Sequence, residues 1–341
     1  MHMADALLSS AVGAAGWAVS AGLIAYSSRK LNDNFDEKRV PLMGVLAAFI
    51  FAAQMINFTI PATGSSGHLA GALLLAFLLG PYAGFISIAS VLTVQAFFFA
   101  DGGILALGCN MINMGAFACF IVYPVVKHTL LKDNPTKSKI IIGSVLGSII
   151  GLQMGAFAVV LETRASGISE LPFGTFLLLM QPVHLAIGVV EGVVTATVVL
   201  FVWGNRPELL TAEKVGSHSI TRVIVSLLVA AVFTGGVLSW FASANPDGLE
   251  WSMFKTSGQE ELAAPDRGLY NSLNSLQENS SFLPGYDFKP PVGAESSDKA
   301  WGSVSAGTSL AGILGSLITL VLTFAAGVLF RKKSSLLTAK K

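Results

Sequence analysis

Charge is scarce in this chain. Asp, Glu, Lys and Arg together make up 12% of its 341 residues, where soluble domains carry about a quarter. With 53% apolar residues and a mean hydropathy of +0.68, the shortage excludes an ordinary soluble domain and points to a chain that crosses a lipid bilayer many times. Net charge is +1, so no basic excess marks a nucleic-acid partner. Cysteine is almost missing: Cys109 and Cys119 are the only two. Ten helical residues would hold them about 15 Å apart, too far for a disulfide, so they are expected as small core residues. Catalytic patterns are missing too. There is no HExxH, no Gly-x-Ser-x-Gly and no GxxxxGK[ST] phosphate loop, so any ATP used must be hydrolysed by another chain. Finally, no Lys or Arg precedes the first apolar run, 7–27, while Arg29 and Lys30 follow it. A secretory signal has its positive charge in front, so 7–27 is expected to be a retained span with its N-terminus outside.

What is present is long apolar runs. They predict an all-α polytopic membrane protein with nine spans, at about 7–27, 41–60, 67–80, 82–100, 104–126, 140–162, 173–203, 221–243 and 304–330. The third is short for about 30 Å of hydrocarbon and reads as a broken or re-entrant element, ended by Gly80-Pro81. Sixteen of the 21 Lys and Arg fall in 28–40, 80–82, 127–139, 204–222 and 331–341; the other five are Arg164, Lys255, Arg267, Lys289 and Lys299. Positive residues favour the cytoplasmic side, so the N-terminus is expected outside and the C-terminus inside. Residues 1–205 form one domain of seven spans. Residues 206–341 form a second, a two-span hairpin around an outer segment, 244–303, rich in Ser, Pro, Asn and Gly. Small residues recur at four-residue spacing on span 1 (Ser9/Gly13/Trp17, Ala11/Ala15, Ala14/Ala18/Gly22), which suits either packing within the bundle or docking of another membrane subunit.

The chemistry centres on two stretches, Met1-His2-Met3 and the run from Asn57 to His68. The Met1 α-amine and the His2 amide nitrogen can close a five-membered ring on a metal. That amide and the His2 imidazole Nδ1 can close a six-membered one. His68 would supply a fourth nitrogen. Planar nitrogen donors suit Ni(II) or Cu(II), and Co(II) lies close below nickel in affinity. Taken alone, His2 could be a mobile polar end and His68 a solvated loop residue. But His68 follows Gly64-Ser65-Ser66-Gly67 and opens an apolar helix expected to begin at Leu69, and a His at membrane depth is a functional candidate. Both stretches lie on the outer side in this topology. Asn57, Gln95, Asp101 and Asn110 are candidates to orient the metal-bound imidazoles, or to make interhelical hydrogen bonds without a ligand role. His184 and Glu191 share a helix face and read as a polar packing contact. Glu162 and Glu170 are expected to be solvated.

Several blocks together resemble the CbiM/NikM family: Met1-His2-Met3-Ala4-Asp5-Ala6-Leu7, Ser66-Gly67-His68-Leu69, Gln95-Ala96, Phe99-Ala100-Asp101-Gly102-Gly103-Ile104, Ala106-Leu107-Gly108, Asn110, Asn113-Met114-Gly115 and His184-x-x-Ile187-Gly188-x-x-Glu191-Gly192. These are substrate-binding components of energy-coupling factor transporters for cobalt and nickel. Pro246-Asp247-Gly248-Leu249-Glu250-Trp251 resembles the accessory CbiN/NikN, or PDGLE-type, component. The resemblance implies a natural fusion of the two. It also implies Ni(2+) or Co(2+) as the transported substrate, held by Met1, His2 and His68. The partners it implies are a transmembrane coupling protein and paired cytoplasmic ATPases in a prokaryotic inner membrane. The rival classes are a secondary permease driven by an ion gradient and a membrane enzyme with a His/Glu metal centre.

Overall fold

A computed structural model describes residues 1–34, 39–132, 135–207, 210, 220–259, 262–265, 268–289 and 301–330. Lys38, Lys214, His218, Arg267, Lys299 and the basic tail 331–341, several of which enter the charge count, lie outside the described residues. The chain is mainly helical. Helix α1 spans Ser10–Asn34, α2 Val40–Gln54, α3 Ala72–Leu79 and α4 Pro81–Phe99. Helix α5 covers Leu107–Leu131, α6 Lys137–Ser166, α7 Phe173–Asn205, α8 Thr221–Gly236, α9 Gly248–Ser257, α10 Gly268–Ser280 and α11 Ala306–Phe330. Six of these, α1, α4, α5, α6, α7 and α11, are long and apolar enough to cross a membrane. Helices α2 and α8 are apolar but shorter, at 15 and 16 residues.

The outward faces suit lipid. Ile142, Leu146 and Ile150 on α6, Leu185, Val189 and Val193 on α7, and Leu317 and Val321 on α11 are all exposed. Small and hydroxylic residues face inward instead, among them Ser144, Ser148, Thr195, Ser316 and Thr319. Small residues let helix backbones approach. A Cβ added at Gly192 of α7 would lie 2.5 Å from the Val145 Cα of α6, and one at Gly188 2.8 Å from the Ile149 Cα. On α1, Gly13 and Gly16 press on Leu105 and Cys109, while Ala11, Ala14, Ala15, Ala18 and Gly22 stay exposed. Only one of the three small-residue lines, through Gly13 and Trp17, is therefore used for packing inside the chain. Cys109 and Cys119 are buried and free.

Two expectations from the apolar runs need correction. The run 41–60 is not one span: α2 stops at Gln54 and Phe58–Ile60 forms strand β1, paired antiparallel with β2, Ser65–Gly67. β-branched and aromatic residues in Phe58-Thr-Ile favour a strand, and the turn residues Pro61 to Gly64 close the hairpin. The element 67–80 is indeed short, but its helix begins at Ala72, not Leu69. Gly71 (φ +79°) and Gly80 (φ +84°) bracket it in conformations that side chains disfavour. His68 thus lies outside any helix, between β2 and α3, and is partly buried.

Helix α5 widens into π-helical turns over Ile112–Val122, a form often found near functional sites. The described residues at the start of segment 244–303 pack against the β1–β2 hairpin. Ser243 N–H donates to the Asn57 carbonyl (2.7 Å) and Ser66 N–H to the Pro246 carbonyl (2.8 Å), so residues 243–247 run along the hairpin edge.

Candidate metal centre

The N-terminus is threaded into the bundle. Met1 and Met3 are buried. Asn110 reads the backbone of Met3 on both sides: Met3 N–H donates to Asn110 Oδ1 (2.8 Å) and Asn110 Nδ2 donates to the Met3 carbonyl (3.2 Å). Gly103 N–H also donates to the Met3 carbonyl at 2.9 Å. Gly155 leaves space that the Met1 side chain fills, since a Cβ there would lie 3.2 Å from Met1 Cε. With residues 1–3 clamped in this way, the backbone nitrogens of Met1 and His2 hold fixed positions.

His2 and His68 stack, with ring centroids 5.0 Å apart and planes 18° from parallel. A relay sets the His2 tautomer. Gln54 Nε2 donates to the Ala70 carbonyl (2.9 Å), Gln95 Nε2 donates to Gln54 Oε1 (2.8 Å), and Gln95 Oε1 then faces His2 Nε2 at 3.2 Å. An amide oxygen only accepts, so His2 Nε2 carries a proton and Nδ1 is left as the ligand nitrogen. That Nδ1 lies 3.2 Å from Asp101 Oδ1. To close the six-membered ring, the imidazole must turn Nδ1 away from Asp101 toward its own amide. Burial, the larger effect, lowers the His2 pKa, and Asp101 pushes it back.

His68 has its own fixed tautomer. Its Nδ1 pairs with the Leu69 carbonyl at 3.1 Å, and a carbonyl can only accept, so Nε2 keeps a free lone pair. Burial, then the Met1 ammonium and His2, lower its pKa to about 3, so His68 is neutral and able to bind metal at neutral pH. Among the described residues no three His, Cys, Asp or Glu side chains group as an ordinary metal site would. Only a donor set that includes backbone nitrogens can be assembled here.

Of the four orienting candidates, the structure brings Gln95, Asp101 and Asn110 to the site. Asn57 does not join them: its carbonyl accepts from Ser243, tying the hairpin to the outer segment. Glu162, expected to be solvated, is half-buried and accepts from Asn113 Nδ2 at 2.7 Å. His184 Nδ1 pairs with the Met180 carbonyl at 2.8 Å, and its buried Nε2 has no hydrogen-bond partner.

Three residues not anticipated at the site are Gln54, Asp247 and Tyr286. Asp247 Oδ2 lies 3.1 Å from the Met1 amine and 3.8 Å from His68 Nε2. Burial works against that carboxylate, yet the Met1 ammonium, followed by His68, holds it below its ordinary range. Tyr286 OH donates to Asp101 Oδ2.

Glu191 positions the loop that carries His68. Its Oε2 accepts from Ala70 N–H (2.6 Å) and its Oε1 from Gly71 N–H (3.2 Å). The packing contact expected from sequence is thus a double clamp two residues past His68. Glu191→Gln would set an amide donor against one of these backbone donors, and an unmatched buried group costs about 1–3 kcal/mol. The melting temperature should drop by a few degrees, and the Ni(II) Kd should rise about 10–100-fold. Unchanged affinity in an isothermal titration would remove Glu191 from the site.

Residues 2–209 match the family model CbiM, described as cobalt uptake substrate-specific transmembrane region, and residues 221–332 match the PDGLE domain. A provisionally named fused nickel transport protein NikMN of Archaeoglobus fulgidus is 33% identical over 329 residues, covering 95% of this chain and 97% of its own. The cobalt transport protein CbiM of Geobacter sulfurreducens is 28% identical over 256 residues, covering 69% of this chain and 72% of its own. A crystal structure of a truncated transition metal transporter superposes with a TM-score of 0.53 at 33% identity, covering 60% of this chain and 99% of that one.

Proposed function

This chain belongs to the CbiM family of cobalt-uptake transmembrane regions, with a PDGLE domain fused behind it, and from that membership we propose that it is the metal-capturing subunit of an ATP-driven energy-coupling factor transporter. That it is a nickel or cobalt transport membrane protein rests on the family itself. The proposed chelate is the Met1 amine, the His2 amide and Nδ1, and His68 Nε2. One observation carries it: the buried Met1 amine and the lone pair of His68 both face one carboxylate oxygen, beside a His2 whose Nε2–H is already committed to Gln95. Nickel is favoured over cobalt because four nitrogens in a plane suit Ni(II), and because a relative that covers 95% of this chain is named for nickel.

The outer side is assigned to the end that holds Met1, His68 and the segment 244–303, from the positive-residue bias. A transmembrane coupling protein and paired ATPases in a prokaryotic inner membrane would then supply the energy. A secondary permease needs intramembrane acids along a path. Glu191, the acid nearest to that role, has both its oxygens taken up by backbone N–H groups.

In liposomes, this chain alone is expected to bind Ni(II) but not accumulate it. ATP-dependent uptake should follow when the coupling protein and ATPases are added. Rapid uptake by the chain alone under an ion gradient would favour the permease.

A further inference from the structure

The fused PDGLE domain places one carboxylate at the heart of the proposed centre. Asp247 opens helix α9, and its two oxygens have separate tasks. Oδ1 caps the helix, accepting from Leu249 N–H (2.8 Å) and Glu250 N–H (2.9 Å). Oδ2 is turned the other way, to the Met1 amine at 3.1 Å and His68 Nε2 at 3.8 Å. Capping accounts for the first oxygen and leaves the second to face metal donors. Donors that bind one divalent ion at about 2.0–2.2 Å lie about 3–3.5 Å from one another. The amine, at 3.1 Å, and the imidazole, at 3.8 Å, therefore already stand near ligand spacing from Oδ2. The carboxylate is held there on both sides. Ser66 N–H and Oγ bind the Pro246 and Asn245 carbonyls (both 2.8 Å) just before it, and Gly248, just after, has no room for a side chain beside Val183 and His184.

A route from the surface reaches the same point. A cavity of about 560 Å³ runs from the exposed Asn271 and Asn274 to His2, with Asp5, Asp101, Asp247 and Glu250 among its walls. A cation moving inward would pass carboxylates and meet Asp247, whose Oδ2 faces the amine.

Resting on the chelate reading above, we propose that Asp247 Oδ2, the Met1 amine and His68 Nε2 form an entry site. It holds the incoming divalent ion before the planar four-nitrogen set is made. The chemistry gives such a stage a purpose. A backbone amide yields its proton only to a metal already bound beside it, because metal ligands must be deprotonated as they bind. Entry displaces one proton, from the Met1 ammonium, and leaves the His2 amide intact. The ion then stands next to that amide. Transfer displaces the amide proton as the free Nδ1 of His2 turns to the ion, and both protons leave through the cavity to water. A divalent ion on one amide anion retains a single positive charge, which the carboxylate of Asp247 balances.

The test uses the full chain with an unmodified N-terminus. Ni(II) is mixed rapidly with wild type, Asp247→Asn and Asp247→Ser, and the absorbance of planar four-nitrogen nickel is followed. Asn and Ser both cap helices well, so α9 is retained in either variant. Loading is expected to slow about 10–100-fold, with the same final spectrum and one nickel per chain. Wild-type loading rates in both variants would overturn the entry role. So would loss of the final complex, which would make Asp247 a permanent ligand. His68→Ala run in parallel separates the two readings: if it binds like wild type, the chelate itself is wrong, whereas an Asp247 rate that is unchanged while His68→Ala fails removes only the entry site.

Discussion

One extra residue ahead of Met1 is expected to abolish high-affinity Ni(II) binding while the bundle still folds. In the proposed chelate the Met1 nitrogen is both the chain terminus and a ligand, so an extension turns an amine into an amide and removes the donor. It also adds volume where there is none. The Met1 side chain is 3% exposed, its Cε rests against Gly155, and its nitrogen touches Asp247. Neither His2 nor His68 is altered by the change. The expected loss is at least about a thousandfold in Kd, roughly 4 kcal/mol. The same tag at the C-terminus should leave binding as it was. A site made from two imidazoles alone would accept either tag, so equal affinities in paired titrations would eliminate the amine–amide–imidazole chelate.

The parts of this centre legible in the sequence are those that neighbours in the chain create. Position 2 fixes which rings a His can close on a metal, whatever the fold, and small residues around His68 announce a close approach. Gln95, Asp101 and Asn110 could be picked out because polar side chains inside apolar runs need partners. Distance in sequence hid the rest. Asp247 lies 246 residues from Met1 and looks like an ordinary helix cap, a role it does fill with Oδ1. Gln54 lies inside the apolar run 41–60, and only the fold puts it between Gln95 and the Ala70 carbonyl. Glu191 was visible, but not what it held, because its partners are backbone groups of a loop that sequence reading had assigned to a helix. The β1–β2 hairpin was lost for a related reason: Phe58-Thr-Ile extends an apolar run, and hydrophobicity alone does not tell strand from helix over three residues.

Replacing His68 by alanine is expected to remove high-affinity nickel binding with little cost to the fold. The residue lies outside any helix after β2, and the segment around it is held by other groups: Ser66 by the outer segment, Ala70 and Gly71 by Glu191, and the Ala70 carbonyl by Gln54. Its own side chain makes one weak local bond, to the Leu69 carbonyl, and stacks on His2. The melting temperature of His68→Ala should therefore stay within a few degrees of wild type. In the proposed chelate, binding depends on something that cannot be replaced nearby, a neutral imidazole whose Nε2 lone pair faces Asp247 Oδ2. Losing a residue that merely orients a ligand already costs 10–100-fold in affinity. Losing the ligand should cost more, and the remaining three nitrogens leave a corner of the plane open to water. Nickel retained by His68→Ala should show weaker, water-coordinated absorbance in place of the planar four-nitrogen spectrum. If the variant keeps both wild-type affinity and the wild-type spectrum, His68 is not the fourth nitrogen, and the two distant stretches do not make one site.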